Sequence, residues 1–291
     1  MKVDSYGHTR RESSRRADSA SAAPRPIVVG VDGTSAALAA ASWAAYEAAR
    51  RGCGLTVVHI TNAVEAWPAL AWATAPLPPE VRHDAIAQGK EILAATVQSI
   101  GMPPSARPHI VSKLYYSAPV PILIDLSRDA QLIVLGVRGS RRLRLAGSVL
   151  RSTLSHAGCP VAVIPAQPLR VTRAQAPVVI GIDRGPGSDV AFATALRSAY
   201  LLDADVVAVH RGDKPDELMA RRLAAAQADY PHVSVRHMPA GRGYLDTLLD
   251  ESHRAQLLVI SAQHSRRRRA ASITITSARA AGVPVISVPL P

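Results

Sequence analysis

The feature that most constrains this chain is an internal repeat, because a unit that recurs in sequence must find the same fold twice. Val28-Val29-Gly30-Val31-Asp32 returns as Val179-Ile180-Gly181-Ile182-Asp183, an offset of 151 residues, and Val57-Val58-His59 returns as Ala208-Val209-His210 at the same offset. The first strand, first helix and second strand are therefore equally long in both copies. Ala130-Gln131-Leu132-Ile133-Val134 then returns as Ala255-Gln256-Leu257-Leu258-Val259 at an offset of 125, so the second copy has lost 26 residues between its second and fourth strands. Cys159-Pro160-Val161-Ala162-Val163-Ile164-Pro165 has its counterpart in Val283-Pro284-Val285-Ile286-Ser287-Val288-Pro289.

A length of 291 residues suits two such units of about 130 residues each. The expected organisation is a basic tail over 1–25, a first domain over 26–166, a linker over 167–177 and a second domain over 178–291. The tail holds Arg10, Arg11, Arg15 and Arg16 among Ser and Ala with no apolar periodicity, which predicts disorder. In the first copy, short apolar runs place strands near 27–31, 55–60, 108–112, 131–136 and 161–165. Such Val/Ile/Leu runs are buried on both faces in a parallel sheet covered by helices. A helix over 35–51, capped by Thr34 or Ser35 and closed by Gly52, lies between the first two strands. Strands alternating with helices predict an α/β fold of two tandem doubly wound parallel-sheet domains with five strands each.

In an open parallel sheet, ligands bind beyond the carboxyl ends of the strands, where the strand order reverses. Three loops of the first copy qualify: Asp32-Gly33-Thr34 after the first strand, the exit of the second strand at His59 and Ile60, and the segment from Gly136 to Ser148 after the fourth. The last carries Gly136, Arg138, Gly139, Gly147 and Ser148, with Val149 following. Glycines there let backbone amides approach a ligand, and a helix opening at Gly147-Ser148 offers free amides and a dipole that favour an anion. Four arginines, Arg138, Arg141, Arg142 and Arg144, add positive charge. Together they describe a phosphate cradle, against the plainer reading of a surface loop with solvated arginines. The second copy has lost it: Ser261 stands for Gly136, His264 for Gly139 and Ser272 for Gly147, although Asp183 still matches Asp32.

The opening strand with Gly-Val-Asp-Gly-Thr, the Gly-x2-Gly and Gly-Ser after the fourth strand, and the closing Cys-Pro-Val-Ala-Val-Ile-Pro resemble the universal stress protein family. The likeness is close over 27–165 and looser over 178–289, as in tandem members. It implies strand order 3-2-1-4-5 in each domain and ATP, with or without Mg2+, at the switch point between strands 1 and 4. Carried over, Asp32 and the backbone around Ile60 face the adenine and ribose, while Gly136, Gly139, Gly147 and Ser148 hold the phosphates with Val149 beside them; Gly33, Thr34 and Arg138 complete the candidate binding set. Two departures stand out. Seven residues separate Gly139 from Gly147, two fewer than in the family's ATP-binding pattern, and Tyr116 replaces a glycine before helix 3, whereas Gly241 keeps it in copy two. The resemblance implies a regulator of stress or dormancy that binds an adenine nucleotide in its first domain only, and that self-associates as a homodimer or by pairing its own halves. The alternative is an interaction or dimerisation module indifferent to nucleotide.

Several functions are disfavoured. No GxxxxGK[ST], strand-borne GxGxxG, HExxH or GxSxG is present, so a binding role is expected rather than an enzymatic one; slow ATP hydrolysis through Asp32 is the weaker reading. The net charge of +12 favours polyanions, yet Arg266 to Arg269 stand in a loop without aromatics for base stacking, which argues against nucleic acid. His59 and His210 read as structural strand ends. Trp67 and Trp72 read as local cover for the cleft. Cys53 and Cys159 lack ligand spacing and read as buried small hydrophobes, and no apolar run reaches membrane-spanning length or forms a signal peptide, which predicts a cytoplasmic protein.

Overall fold

The computed structural model describes residues 24–61, 79–137, 146–166, 176–182, 187–210, 217–240, 243–261 and 267–289. The first half runs β1 (Ile27–Val31), α1 (Ser35–Arg50), β2 (Leu55–Thr61), α2 (Pro79–Ser99), a short 3-10 turn (Pro104–Ala106), β3 (Ile110–Tyr116), α3 (Pro119–Leu126), β4 (Leu132–Val137), α4 (Ala146–His156) and β5 (Val161–Pro165). The second runs β6 (Val178–Ile182), α5 (Ser188–Leu202), β7 (Val206–His210), α6 (Glu217–Ala228), β8 (Val235–Pro239), α7 (Tyr244–Ser252), β9 (Leu257–Ser261), α8 (Arg267–Ala281) and β10 (Val285–Val288).

All ten strands join one sheet in the order β3-β2-β1-β4-β5-β10-β9-β6-β7-β8. Each half has the expected 3-2-1-4-5 order, with parallel pairing throughout. The halves meet through β5 and β10, which pair antiparallel with Val285 opposite Val163 and Ile286 opposite Ala162. Two pairing modes were open from sequence; within the chain, the two copies pair with each other. β5 and β10 thereby become central strands, and β3 and β8 remain as the sheet edges.

Alternation along the strands splits the core into two layers. Ile27, Val29 and Val31 of β1 face a cluster with α1, α2, α5 and α6, while Val28 faces one with α3, α4, α7 and α8. A helix rich in small residues can lie close on the sheet, and α1 does so through Ala37, Ala40, Ala41, Ala44 and Ala48, all buried. Its ends are those expected. Thr34 Oγ1 accepts a hydrogen bond from Ala37 N at 3.3 Å, and Gly52 takes a left-handed φ of 62° just past the last turn. β3 is longer than expected, reaching Tyr116. As an edge strand it exposes Val111, Ser112 and Lys113, so it lacks the continuous apolar run that marks the central strands.

The repeated Ala-Gln pair has a structural reason. Gln131 Nε2 donates to the Arg25 carbonyl at 2.6 Å, and Gln256 Nε2 donates to the Ala176 carbonyl at 2.7 Å. The backbone amides of the same glutamines bond Pro26 and Pro177 at 3.0 and 3.1 Å. In each half, one glutamine ties the start of the fourth strand to the chain entering the first. Residues 1–23, where the tail was expected, lie outside the described residues, as do most of the linker and Trp67 and Trp72.

Candidate functional site

β1 and β4 are neighbours, and their outgoing chains diverge to opposite faces of the sheet, which opens a crevice at their carboxyl ends. A cavity of about 190 Å³ lies there. Its floor is apolar, made by Gly30 and Leu135 from the sheet and Leu123 from α3. Gly30 carries no Cβ, and one placed there would come within 2.8 Å of Leu135 Cδ2. One wall is Val58 and Ile60 of β2, and another is Val149 and Leu150 at the start of α4. Asp32 and Thr34 stand at the mouth.

The Asp32-Gly33-Thr34 turn is built for its shape. Gly33 has a φ of 78°, a conformation that costs a side-chain-bearing residue about 1 kcal/mol. Asp32 Oδ1 accepts from Thr34 N at 3.1 Å and from Thr34 Oγ1 at 2.6 Å, so the carboxylate is fixed at the helix entrance. His59 lies one residue before Ile60. Its Nδ1 is 2.8 Å from the Val31 carbonyl, and because a carbonyl only accepts, that nitrogen carries the proton. His59 thus pins β2 to the end of β1, in keeping with a structural role.

Of the sequence-derived candidates, Asp32, Thr34, Ile60, Gly136 and Val149 line the cavity together. Gly33 forms the turn beside it. Gly147 is the second residue of α4, and Ser148 follows it, exposed, in the first turn; Arg138 and Gly139 lie outside the described residues. Gly136 has a second reason to be glycine. A Cβ on it would overlap the backbone carbonyl of Ala36 and come within 2.9 Å of Ala37 N, so α1 enters against bare β4 backbone. Tyr116, the other departure, ends β3 with the Arg82 guanidinium 5.4 Å from its ring centre.

Sequence reasoning missed the contributions of two helices. Pro119 and Leu123 come from α3, whose role as a cavity wall no motif announces. Ile275 and Arg279 come from α8 of the second half, and only the β5–β10 pairing brings them there.

The second half differs at the equivalent place. Tyr244 stands where Pro119 stands in the first half, and its hydroxyl lies against Gly181, the counterpart of Gly30. Ser261, in place of Gly136, is buried, and its Oγ has no hydrogen-bond partner among the described residues. Arg267 to Arg269 open α8 rather than standing in a loop as expected; Arg266 and Asp183 lie outside the described residues.

Cys53 and Cys159 are buried and free, and burial pushes the Cys159 thiol up to about 12. Among the described residues no group of three His, Cys, Asp or Glu side chains could hold a metal ion, and no helix is long and apolar enough to cross a membrane.

A family model described as the universal stress protein family matches residues 24–165. A universal stress protein of Mycobacterium tuberculosis strain H37Rv is 34% identical over 269 residues, covering 82% of this chain and 87% of its own. A second one from the same strain is 32% identical over 260 residues, covering 81% and 86%. Among solved structures, a universal stress protein from Archaeoglobus fulgidus DSM 4304 superposes with a TM-score of 0.70 at 15% identity, covering 91% of this chain and 96% of that one. With a relative this similar over this much of its length, the chain belongs to the universal stress protein family.

Proposed function

We propose that this protein is a stress-response regulator that binds one adenine nucleotide, ATP, in its first half, and that the second half binds none. The observation that carries this reading is the cavity at the carboxyl ends of β1 and β4, apolar within and polar at its mouth, with the start of α4 in its wall. Base and ribose occupy the apolar floor over Gly30, Leu135 and Ile60, with Asp32 beside the ribose. The phosphates lie toward the start of α4, where Gly147 and Ser148 sit and where the helix dipole favours an anion. Arg138 and Gly139 belong to the same cradle by sequence. Since Asp32 is the one carboxylate lining the cavity among the described residues, Mg2+ enters on the phosphates rather than in a protein cage.

In this reading the Asp32 carboxylate holds the turn, accepting a hydrogen bond from the Thr34 hydroxyl. Occupancy, not turnover, is the signal in this reading. Isothermal titration of ATP is expected to give one site per chain, and saturating ATP should raise the melting temperature, since a ligand at a hundredfold its Kd stabilises by about 2.7 kcal/mol. No heat and no thermal shift at millimolar ATP overturns the proposal in favour of a nucleotide-independent interaction module.

A further inference from the structure

The antiparallel joint between β5 and β10 turns the second half over relative to the first. Helices in such a sheet run back against their strands, so α8 ends where the first half's strands end. Its last turn is thereby placed at the mouth of the first half's cavity, and Ile275 and Arg279 line it. Ile275 is buried and extends the apolar wall made by Leu150 of α4. Arg279 is exposed, and no carboxylate pairs with it among the described residues. Apart from Asp32, it is the only charged residue lining the cavity among the described residues.

A cation in the last turn of a helix has a plain explanation, compensation of the helix dipole. That explanation does not account for asymmetry between the halves. The matching stretch of α4, which the same joint directs toward the second half, carries Leu154 and Ser155, both buried and uncharged. At the aligned position α8 carries an arginine that lines the open cavity, while α4 carries an uncharged residue, its Arg151 lying about one turn earlier.

Resting on the reading of this cavity as a nucleotide site, we infer that Arg279 binds the phosphates of a nucleotide held by the first half. The second half, without a cradle of its own, thereby completes the site of its neighbour. A guanidinium suits this task, because its planar fork can engage two phosphate oxygens at once and keeps its charge at every physiological pH. It also offsets the shortened spacing between Gly139 and Gly147, which removes two residues from the cradle. A ligand that touches both halves then links occupancy to the β5–β10 joint.

The test is calorimetric titration of the full-length chain and its Arg279→Ala and Arg279→Lys variants with ATP and with adenosine, which has the base and ribose without phosphate. Arg279→Ala is expected to weaken ATP about tenfold or more while leaving adenosine within about twofold, and Arg279→Lys to recover part of the loss. Raising the salt should shrink the difference between wild type and Arg279→Ala. Unchanged ATP affinity in Arg279→Ala overturns the inference, as does an equal loss for ATP and adenosine, which would mark Arg279 as a packing residue. A wild-type chain that gives no heat with either ligand removes the nucleotide reading itself, and is told apart because it fails before any substitution is made.

Discussion

Gly136 tests whether the glycine after the fourth strand is kept for the ligand or for the fold. In Gly136→Ala the new methyl group meets the carbonyl of Ala36 and, at 2.9 Å, the amide nitrogen of Ala37. Both belong to the backbone of the first turn of α1, so no side-chain rotation relieves the overlap and the helix start must move away from β4. Overpacking of a well-filled site costs about 1–3 kcal/mol, and rigid backbone on the receiving side argues for the upper half of that range. At roughly 2–4 °C per kcal/mol, the melting temperature should fall by about 4–12 °C. Ser261→Gly is the matched control in the second half, where it removes a buried hydroxyl that has no hydrogen-bond partner among the described residues. The relief of that hydroxyl and the added chain entropy of glycine each amount to about 1 kcal/mol with opposite signs, so little net change is expected. Circular dichroism melts and urea titrations of the two variants against wild type decide the matter. If Gly136→Ala unfolds within about 0.5 kcal/mol of wild type, α1 does not need a bare strand, and the packing account of this glycine is wrong.

Glu47 is buried between Arg51, at 2.7 Å, and Arg50, at 2.9 Å. Burial alone would raise its carboxyl, but the two guanidiniums outweigh it and hold it below the usual range. Glu47→Gln should therefore cost about 3 kcal/mol near neutral pH by leaving Arg51 buried and unpaired. Because the folded pKa is depressed, this contribution is full above the unfolded carboxylate pKa and is lost as pH falls through the folded one, so urea titrations should show the gap between wild type and Glu47→Gln closing in acid. With its thiol pushed up to about 12, Cys159 should resist a thiol reagent at pH 8 in the native protein and react once urea unfolds it; rapid native labelling would contradict its burial. Tyr244→Ala should lower stability by about 2 kcal/mol, yet calorimetric stoichiometry should stay at one nucleotide per chain, since Ser261 still stands where the first half has Gly136.

The repeated apolar runs made a parallel α/β fold in two halves legible, and the family resemblance implied the 3-2-1-4-5 order that each half has. The sequence also singled out Asp32, Thr34, Ile60, Gly136 and Val149, which line one cavity. What it could not convey depends on surfaces that meet only in three dimensions. An antiparallel joint between fifth strands leaves no mark on β5 beyond a uniformly buried Val-Ala-Val-Ile run, which looks the same in a strand at the edge of a covered sheet. Arg279 therefore carries no mark in the sequence that ties it to the first half's cavity. Gly136 read as a ligand glycine because its other neighbour, the start of α1, lies a hundred positions earlier in the chain. Tyr244 was legible in principle, as the bulky residue aligned with Pro119, but its meaning required knowing that Gly181 lies beneath it.

The joint also explains how two copies of one unit can differ so far in the cleft without losing the fold. Strand cores and the Gln131 and Gln256 ties set the architecture, and both halves keep them. The two switch points, β1–β4 and β6–β9, are separated by β5 and β10 and open at opposite ends of the strands, so Tyr244 in the second leaves the first untouched. Yet the first half's cleft is walled in part by α8 of the second half, through Ile275 and Arg279, so in the proposed reading residues of the second copy remain answerable to the first copy's ligand. Wear in the second cleft is thus compatible with a continuing constraint on α8. Loss of Tyr244 or Ser261 should be neutral for ligand binding, whereas loss of Arg279, equally distant from the nucleotide motifs in sequence, should not be.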